Sequence, residues 1–167
     1  MDMNKTLAGT GLKQEDFKEG KVLYTEWRPR AMYAWDAGIA MSRFLKELKN
    51  GRIIGTECLK CRRVMLPPRM FCERCYSPTN KWIELKDKGT VRTFCITHVR
   101  WDASRVEEPF FPMVVELDGG RKWAALFHVI KDIDPSDMKV GIRVKALWKP
   151  PEERIGAITD IEHFIPE

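Results

Sequence analysis

The stretch CLKCRRVMLPPRMFCERC, residues 58–75, decides the fold of this part of the chain, because it places four cysteines in two CxxC pairs. A CxxC turn aims two thiolates at one point. Two such turns on a folded-back hairpin complete a tetrahedron of sulfur, the coordination that zinc prefers. The spacing therefore predicts a metal site with the ligands Cys58, Cys61, Cys72 and Cys75.

An all-cysteine shell leaves no open coordination position, so the predicted site is structural rather than catalytic. Zinc is the expected metal, and iron is the alternative because both accept a tetrahedral thiolate site. Residues 53–82 are too few to fold on apolar burial alone. We expect the metal to supply their folding free energy, about 10–16 kcal/mol at neutral pH. Four free or oxidised thiols are the alternative interpretation.

The cysteine segment also carries the basic balance of the chain, whose net charge is +5. Residues 58–82 hold six basic side chains and one acidic side chain, Glu73. A basic patch attracts the phosphates of a nucleic acid or of a phosphorylated cofactor. The plainer alternative is that these lysines and arginines only keep a small metal-bound segment in solution.

Composition indicates a globular protein, since 44% of the 167 residues are hydrophobic and 32% are charged. No apolar run approaches the roughly 20 residues that a membrane span needs. Residues 1–21 are polar and lack the apolar core of a signal peptide. We expect a cytoplasmic protein without a membrane segment, and in a reducing cytosol the paired cysteines favour metal over disulfides.

An amphipathic helix is predicted for residues 36–51, with Asp36 as the N-cap and Gly51 as the stop. Its apolar face packs either on the rest of the chain or on a partner protein. The preceding arm is too short to bury its own aromatic residues, so it is also expected to pack on the rest of the chain or on a partner. The helix face comprises Ala37, Ala40, Met41, Phe44, Leu45 and Leu48, and the arm carries Phe17, Tyr24, Trp27, Tyr33 and Trp35.

The remainder of the chain is predicted to be all-β. A hairpin turn is expected at LDGGR, residues 117–121, and a turn with one short helical turn at residues 132–141. Five strands with a connector after the third match a small OB-type barrel. The strands are predicted at residues 89–101, 110–119, 121–130, 141–149 and 154–164, the fourth turning Ile142, Val144, Ala146 and Trp148 inward.

The predicted fold class is mainly β with an N-terminal helix: a rubredoxin-like zinc ribbon followed by a C-terminal OB-fold barrel. The expected segments are an N-terminal arm with its docking helix at residues 1–52, the zinc ribbon at 53–82 and the OB-fold domain at 83–167.

Other residues whose side chains could take part in catalysis are interpreted as structural. Cys95 is expected to be a small buried hydrophobe, and His98, His128 and His163 are expected to be ordinary sheet residues. The sequence has no GxSxG, no HExxH and no glycine-rich phosphate loop. We therefore expect no catalytic residues and no catalysis by the chain alone.

Several motifs in a fixed order give the sequence a family resemblance over about residues 30–165. It resembles the zinc-ribbon and OB-fold proteins associated with acyl-CoA thiolases and hydroxymethylglutaryl-CoA synthases. The motifs follow the amphipathic helix in the order CLKC, LPPR, CERC, GTVRTF, FPMVVELDGG, DPSDMKVGIRVKA and WKPPEERIGAITDI.

The resemblance implies a non-catalytic accessory subunit that docks on a thiolase-fold acyl-CoA enzyme, with or without a synthase-like subunit, in a hetero-oligomer. The coenzyme A thioester would be a shared ligand, and Arg69, Arg63 and Arg62 are the candidates for its phosphates. The sequence departs from the family pattern at Arg62, where glycine is common, and at Glu73, where proline is common.

Two other functions fit the same modules. The first is a nucleic-acid-binding module, because zinc ribbons and OB folds both serve that role. The net charge of −2 over residues 83–167 argues against it, although Trp101, Trp123 and Trp148 offer stacking surfaces. The second is a stand-alone acyl-CoA-binding protein.

Overall fold

The computed structural model describes residues 11–25, 32–100, 104–121 and 124–167. Contacts divide the chain into two units, residues 1–35 and 36–167. In the first unit, helix α1 spans Gln14–Lys18. Two aromatic pairs lie in this unit: Phe17 with Tyr24, at 5.4 Å between ring centroids, and Tyr33 with Trp35, at 6.3 Å. The predicted arm residue Trp27 lies outside the described residues.

Helix α2 spans Gly38–Lys49 and buries its apolar face within the second unit. Phe44 and Leu48 are almost fully buried in the main core, and Met41 and Leu45 pack against it. Ala40 is also buried, whereas Ala37 is exposed because it precedes the helix. Of the two roles considered for this face, packing on the rest of the chain is the one observed.

The start of α2 differs from the prediction by one residue. Ala37, not Asp36, occupies the N-cap position. The carboxylate of Asp36 still accepts a hydrogen bond from the Gly38 N–H, at 2.9 Å. It therefore satisfies one of the free N–H groups of the first turn from one position further out.

The predicted glycine stop of α2 is confirmed. Gly51 has a φ of +74°. Its N–H donates to the Leu48 carbonyl at 2.9 Å, and the Arg52 N–H donates to the Glu47 carbonyl at 2.9 Å. These two bonds form a Schellman motif, which requires a left-handed residue at this position and so favours glycine.

Three short strands form the ribbon sheet, in the order β2-β1-β3. They are β1 at Ile53–Glu57, β2 at Val64–Met65 and β3 at Lys81–Leu85. Strand β1 pairs antiparallel with both neighbours and is buried along its whole length. The cysteine-rich loops leave this sheet from the ends of β1 and β2.

Six strands form the second sheet: β4 at Lys88–Phe94, β5 at Thr97–Val99, β6 at Arg105–Leu117, β7 at Ala125–Ile130, β8 at Arg143–Trp148 and β9 at Ile161–Pro166. Their order is β4-β8-β9-β7-β6-β5, and an additional β4–β6 pairing closes the sheet. Strands β7 and β9 are parallel, and the other pairs are antiparallel. This is the connectivity of an OB-fold barrel, as predicted.

The barrel closes through Gly89, which lies opposite Leu117 on β6 and Val144 on β8. A Cβ atom at this position would overlap the carbonyl oxygen of Glu116 and lie 2.9 Å from Cγ2 of Val115. The strands approach too closely for a side chain, so a glycine is required where β4 pairs on both edges.

One hydrophobic core joins the helix, the ribbon sheet and the barrel. Phe44 of α2, Ile53 of β1 and Val91 of β4 belong to the same buried cluster as Phe164 of β9. The ribbon strands are thus stabilised by apolar packing, and only the cysteine loops lack such a core. The predicted boundaries at residues 52/53 and 82/83 stay a prediction.

The prediction of one strand over residues 89–101 is wrong in its second half. Strand β4 ends at Phe94, and β5 begins only at Thr97. Cys95 lies in this interruption and is exposed, so its assignment as a buried hydrophobe is also wrong. The alternation that buries side chains inside a barrel holds only while the strand continues.

The fifth strand is shorter than predicted and begins at Ile161. Residues 154–160 instead contain a 3₁₀ turn at Ile158–Asp160. The buried carboxylate of Asp160 accepts hydrogen bonds from three successive backbone N–H groups, those of Ile155, Gly156 and Ala157, at 3.0, 2.7 and 3.1 Å. These bonds hold the backbone in a tight loop and exclude a strand.

The remaining predictions about the barrel are largely confirmed. The LDGGR segment connects β6 to β7, and the inward residues of β8 are buried or half-buried as expected. Residues 132–141 form a turn in which the Asp134 carboxylate accepts from the Ser136 N–H at 2.8 Å, but they contain no helix. Among the described residues, no helix has the length and apolar character needed to cross a membrane.

Candidate metal centre and its surface

Four thiol groups converge at the end of the ribbon sheet. All four sulfur atoms lie within 4.8 Å of one another, and the Sγ atoms of Cys61 and Cys72 are 3.6 Å apart. Cys58 and Cys72 are buried, whereas Cys61 and Cys75 are partly exposed.

These distances fit a structural zinc ion. Zn–S bonds of about 2.3 Å in a tetrahedron place the sulfur atoms about 3.8 Å apart, close to the observed separation. The donor set consists of four soft sulfur atoms with no carboxylate or imidazole, which suits zinc or iron and not magnesium or calcium. Apart from Met65, the small buried cluster around the site is made of the cysteines themselves, so little apolar packing supports it.

The backbone of the first loop, here called the first knuckle, residues 57–64, wraps around its leading cysteine. The Cys58 N–H donates to the Arg63 carbonyl at 2.8 Å, and the Arg62 N–H donates to the Cys58 carbonyl at 2.7 Å. These two bonds close the turn that aims the thiols inward.

The second knuckle, residues 71–78, repeats the same path fourteen residues later. The Cys72 N–H donates to the Ser77 carbonyl at 2.9 Å, and the Tyr76 N–H donates to the Cys72 carbonyl at 2.9 Å. The strand pairing at the mouth of each loop also corresponds, since Glu57 lies opposite Val64 and Phe71 lies opposite Pro78.

The residue after the second cysteine of each knuckle adopts a left-handed conformation. Arg62 has a φ of 61° and Tyr76 a φ of 53°. Glycine adopts this conformation without steric cost, whereas other L-residues do so at a cost. The backbone is therefore strained both at Arg62, where the sequence departs from the family's common glycine, and at Tyr76.

The environment of the thiols favours an uneven distribution of charge. Burial opposes ionisation of Cys72, yet the backbone N–H groups of Arg74 and Cys75 and the neighbouring thiols lower its pKa to about 7. The hydrogen bond that the Cys75 thiol donates to Cys61, followed by burial, raises the pKa of Cys75 to about 12. One thiolate forms readily, and a bound cation is what would allow the others to form.

The loop between the knuckles is fixed at Arg69. The Thr56 hydroxyl donates to the Arg69 carbonyl at 2.9 Å and lies 3.1 Å from the Arg69 N–H, which donates to it. The Thr79 hydroxyl donates to the same carbonyl. Both threonines are buried. Two fixed side chains, one in β1 and one just before β3, therefore hold the backbone that carries the Arg69 side chain.

The three predicted phosphate-binding arginines all lie on this ribbon, and each is paired with a carboxylate. Arg63 and Arg69 both donate to Glu73, the latter at 2.7 Å to Oε2. Arg62 lies 3.4 Å from Oε1 of Glu57. The structure thus brings Arg63 and Arg69 together and places Arg62 in a separate pair.

Glu57 connects the first knuckle to the ribbon sheet. Its Oε2 accepts from the Lys81 ammonium at 2.6 Å, and this hydrogen bond, together with the charges of Lys81 and Arg62, holds the pKa of Glu57 below its usual value despite burial. The two acids Glu57 and Glu73 therefore pair with four of the six basic side chains of residues 57–82, which keep a net charge of +4.

The outer surfaces of the two knuckles differ. Where the first knuckle has Glu57 and Arg62, an ion pair, the second has Phe71 and Tyr76, which are 62% and 84% exposed. No periodic pattern in the sequence indicates this apolar surface. An alignment of the two CxxC turns with each other does indicate it, because the equivalent positions differ in polarity.

The remaining candidate residues, Cys95 and three histidines, are distributed over the barrel. The Cys95 sulfur lies 3.5 Å from the Thr97 hydroxyl. His98, His128 and His163 lie in β5, β7 and β9, as expected for sheet residues.

Two of these histidines are more unusual than the sequence indicates. Burial lowers the pKa of His128. His163 is buried, and neither ring nitrogen has a hydrogen-bond partner among the described residues. Its Nε2 lies 3.6 Å from the Asp132 carboxylate, a proximity that only the fold creates.

Family models match most of the second unit. Residues 45–80 match the rubredoxin-like zinc ribbon domain of ChsH2, and residues 82–149 match the C-terminal OB-fold domain of ChsH2. A DUF35 domain-containing scaffold protein from Methanocaldococcus jannaschii is 31% identical over 98 residues, which cover 58% of this chain and 67% of the relative. A protein of the same description from Methanothermobacter thermautotrophicus is 28% identical over 103 residues, covering 60% and 74%.

Solved structures agree with these matches. A DUF35-family protein of unknown function from Sulfolobus solfataricus superposes with a TM-score of 0.56 at 26% identity, over 66% of this chain and 78% of that one. The Ltp2-ChsH2(DUF35) aldolase superposes with a TM-score of 0.54 at 22% identity, over 83% and 98%, and shares the fold. The chain therefore belongs to the ChsH2 (DUF35) family of proteins that join a zinc ribbon to an OB fold.

Proposed function

We propose that this chain is a non-catalytic accessory subunit of a thiolase-fold acyl-CoA enzyme complex. The description of two relatives as scaffold proteins supports a role in assembly, and so does the presence of the DUF35 fold in the Ltp2-ChsH2 aldolase. The chain would dock on the catalytic partner and help to shape the site of the coenzyme A thioester.

The observation that carries the proposal is the exposed aromatic pair on the second knuckle. Phe71 and Tyr76 are exposed on a loop that two main-chain hydrogen bonds close, from the Cys72 N–H to the Ser77 carbonyl and from the Tyr76 N–H to the Cys72 carbonyl. Large aromatic side chains on a rigid surface are typical anchors of protein interfaces, because their burial costs little conformational entropy and removes much apolar area from water.

The metal in this proposal is structural. Cys58, Cys61, Cys72 and Cys75 would hold a zinc ion, with iron as the alternative, and the ion would fix the two knuckles relative to each other. It would supply no chemistry to the reaction, because four protein sulfurs fill its coordination.

The proposed complex is a hetero-oligomer in which the partner carries out the reaction on the thioester. A synthase-like subunit is a further candidate partner. The phosphates of coenzyme A would contact the ribbon arginines, Arg69 first, then Arg63 and Arg62. The position of Arg69 on a clamped backbone supports this order, since its guanidinium starts from a fixed point.

Charge pairing favours this proposal over binding of nucleic acid. The three arginines form two separate ion-paired groups, Arg63 with Arg69 on Glu73 and Arg62 on Glu57, rather than the continuous row of cations that follows a polyanionic backbone. Of the stacking residues considered for that role, Trp148 lies beneath the Arg154 guanidinium, 5.4 Å from the ring centroid. Trp101 and Trp123 lie outside the described residues.

Co-expression with the thiolase-fold enzyme encoded nearest to it tests the proposal. We expect the two chains to co-purify at a fixed ratio and to give one species by native mass spectrometry. Condensation or cleavage of the thioester should require both chains. Recovery of this chain only as a free monomer, beside a fully active partner, would contradict the proposal. Binding of coenzyme A to the isolated chain with the same affinity as to the complex would favour a stand-alone acyl-CoA-binding protein.

A further inference from the structure

Two arginines of the ribbon share one carboxylate at the mouth of a small cavity. Arg63 donates to Oε1 of Glu73, and Arg69 donates to Oε2 of the same group. The cavity has a volume of about 130 Å³ and is walled by Val64, Met65 and the Leu66–Pro67 segment. The carboxylate thus occupies the position where two guanidinium groups converge.

Both arginines are fixed at their backbones. The Arg63 carbonyl accepts from the Cys58 N–H inside the first knuckle, and the Arg69 backbone is clamped by Thr56 and Thr79. Because the two backbones are already ordered, only the arginine side chains lose conformational freedom when the guanidinium groups bind an anion.

We propose that this cavity is a binding site for a phosphate group and that Glu73 closes it in the free chain. Guanidinium groups hold carboxylate and phosphate oxygens in the same manner. The cavity volume of about 130 Å³ is enough for several water molecules, and so for a single tetrahedral anion. Glu73 is a stand-in for that anion within the same chain.

Charge selects phosphate over a second carboxylate. An external carboxylate carries the same charge as Glu73 and competes with a group that is tethered beside the site at a high effective concentration. A phosphate dianion carries one more negative charge between the two cations. The Glu73 side chain is 42% exposed, and an exposed ion pair of this kind contributes little net stability, so its displacement costs little.

The assignment of the phosphate group to a coenzyme rests on the proposed function. The anion site itself rests on the geometry of Arg63, Arg69 and Glu73. A free phosphate and a nucleotide cofactor would present the same group, so the ligands in the test must separate them.

The test is calorimetric titration of the full-length, metal-loaded chain, without partner, at a fixed 0.1 M salt concentration. The ligands are inorganic phosphate, pyrophosphate and adenosine 3′,5′-bisphosphate. We expect Glu73→Gln to tighten phosphate binding about fivefold to tenfold, because it removes the competing charge. We expect Arg69→Gln to weaken binding about tenfold or more and Arg69→Lys to have an intermediate effect.

Arg74→Gln is the matched control, since it removes one positive charge from an exposed neighbour that does not line the cavity. It should change the affinity less than about twofold, because screening weakens a charge that makes no contact. The spectrum of a cobalt-substituted sample, which reports the four-thiolate shell, verifies that each variant retains the ribbon.

Equal affinities for the parent chain, Arg69→Gln and Arg74→Gln would overturn the proposal, and so would weaker binding by Glu73→Gln. Tighter binding of the bisphosphate than of inorganic phosphate would support the site with a nucleotide cofactor as its ligand. Equal binding of the two would support it with phosphate alone. A negative result would rule out the anion site. It would not bear on assembly with the enzyme, because no partner is present in this titration and the co-purification experiment measures that assembly.

Discussion

Arg62 and Tyr76 hold the same left-handed conformation at equivalent positions of the two knuckles, with φ angles of 61° and 53°. Each donates its N–H to the carbonyl of the leading cysteine of its own turn. The two positions therefore have the same backbone requirement, and neither carries the residue that meets it best.

Replacing either residue by glycine should stabilise the metal-loaded chain. We expect a gain of about 0.5–1 kcal/mol for Arg62→Gly and for Tyr76→Gly, because relief of a left-handed strain of roughly 1–2 kcal/mol is partly offset by the greater freedom of glycine in the unfolded chain. Denaturant unfolding measures the change. Arg74→Gly, at a position without a positive φ, should not stabilise the chain. A loss of stability at Arg62 alone would mean that its contact with Glu57 outweighs the strain.

Removal of the metal should unfold the knuckles and spare the sheets. Ile53, Val64 and Leu85 belong to the main core, whereas the cysteines form a separate small cluster. The sequence-based expectation was that all of residues 53–82 depend on metal, and it is therefore narrowed to the loops outside the sheet, residues 58–63 and 66–80. Since metal binding contributes about 10–16 kcal/mol to such sites, the amides of Cys58 and Cys72 should lose their protection after chelation.

Hydrogen exchange before and after treatment with a chelator measures this difference. Amides of the β1–β3 pairing and of the barrel should keep their protection. Loss of protection throughout residues 36–167 would show that the metal stabilises the whole unit. Unchanged protection at the knuckles would show that they need no metal.

Substitution of Gly89 should open the barrel. A Cβ atom there meets the Glu116 backbone, which cannot move without breaking the β4–β6 pairing. We expect Gly89→Ala to destabilise the chain by about 2–3 kcal/mol or more in denaturant unfolding. Thr90→Ala, one residue along the same strand, removes only a hydroxyl that accepts from Arg143 and should cost less than about 1 kcal/mol. Similar losses for the two variants would contradict the assignment of the steric role to Gly89.

The buried carboxylate of Asp160 should make stability depend on acid pH. Burial disfavours its charge, but hydrogen bonds from the N–H groups of Ile155, Gly156 and Ala157 prevail and hold its pKa below the ordinary value of 3.8. Because the folded pKa is the lower one, the stabilisation is present above the unfolded pKa and is lost as the pH falls below about 4 through the folded value.

Asp160→Asn tests this expectation. The amide keeps the shape but offers one oxygen to three donors, so we expect a loss of about 1–3 kcal/mol at neutral pH. The difference between parent and variant should shrink when unfolding is measured at decreasing pH below 4. Asp134→Asn, whose carboxylate holds only an exposed turn, serves as the control. A difference that stays constant with pH would show that the charge of Asp160 does not stabilise the loop.

The aromatic pair of the second knuckle should govern assembly with the partner. Phe71→Ser and Tyr76→Asn each remove an exposed ring without disturbing the thiols, and asparagine tolerates the left-handed backbone. We expect each variant to bind the catalytic partner about 10-fold to 100-fold more weakly while retaining its metal. Phe127→Ser, which removes an exposed ring from barrel strand β7, should bind as the parent does. Undiminished binding by both knuckle variants would place the interface elsewhere.

The sequence was most informative where spacing or periodicity leaves few structural choices. Two CxxC pairs ten residues apart predict the convergence of four sulfurs, and alternation predicts which side of β8 faces inward. The glycine at position 51 also identifies the end of α2, because a Schellman motif needs its positive φ.

The features that the sequence did not predict depend on side-chain contacts and strand breaks that leave no periodic pattern. Cys95 lies in a run of strand-forming residues, and only the break between β4 and β5 exposes it. The sequence before β9 is typical of a strand, but hydrogen bonds from three backbone N–H groups to the Asp160 carboxylate fold it into a loop. Arg69 and Glu73 are four residues apart, but the contact of Arg63 with Glu73 requires the two knuckles to be folded against each other, so the sharing of Glu73 could not be read from a local pattern.

The correspondence between the two knuckles has a consequence for how such proteins diversify. Their common backbone path depends on cysteines and main-chain hydrogen bonds, whereas their outer side chains take no part in either. Substitutions at positions such as 71 and 76 can therefore accumulate without endangering the metal shell. A lineage could exchange one binding partner for another through a few surface replacements, with the metal-bound scaffold inherited intact.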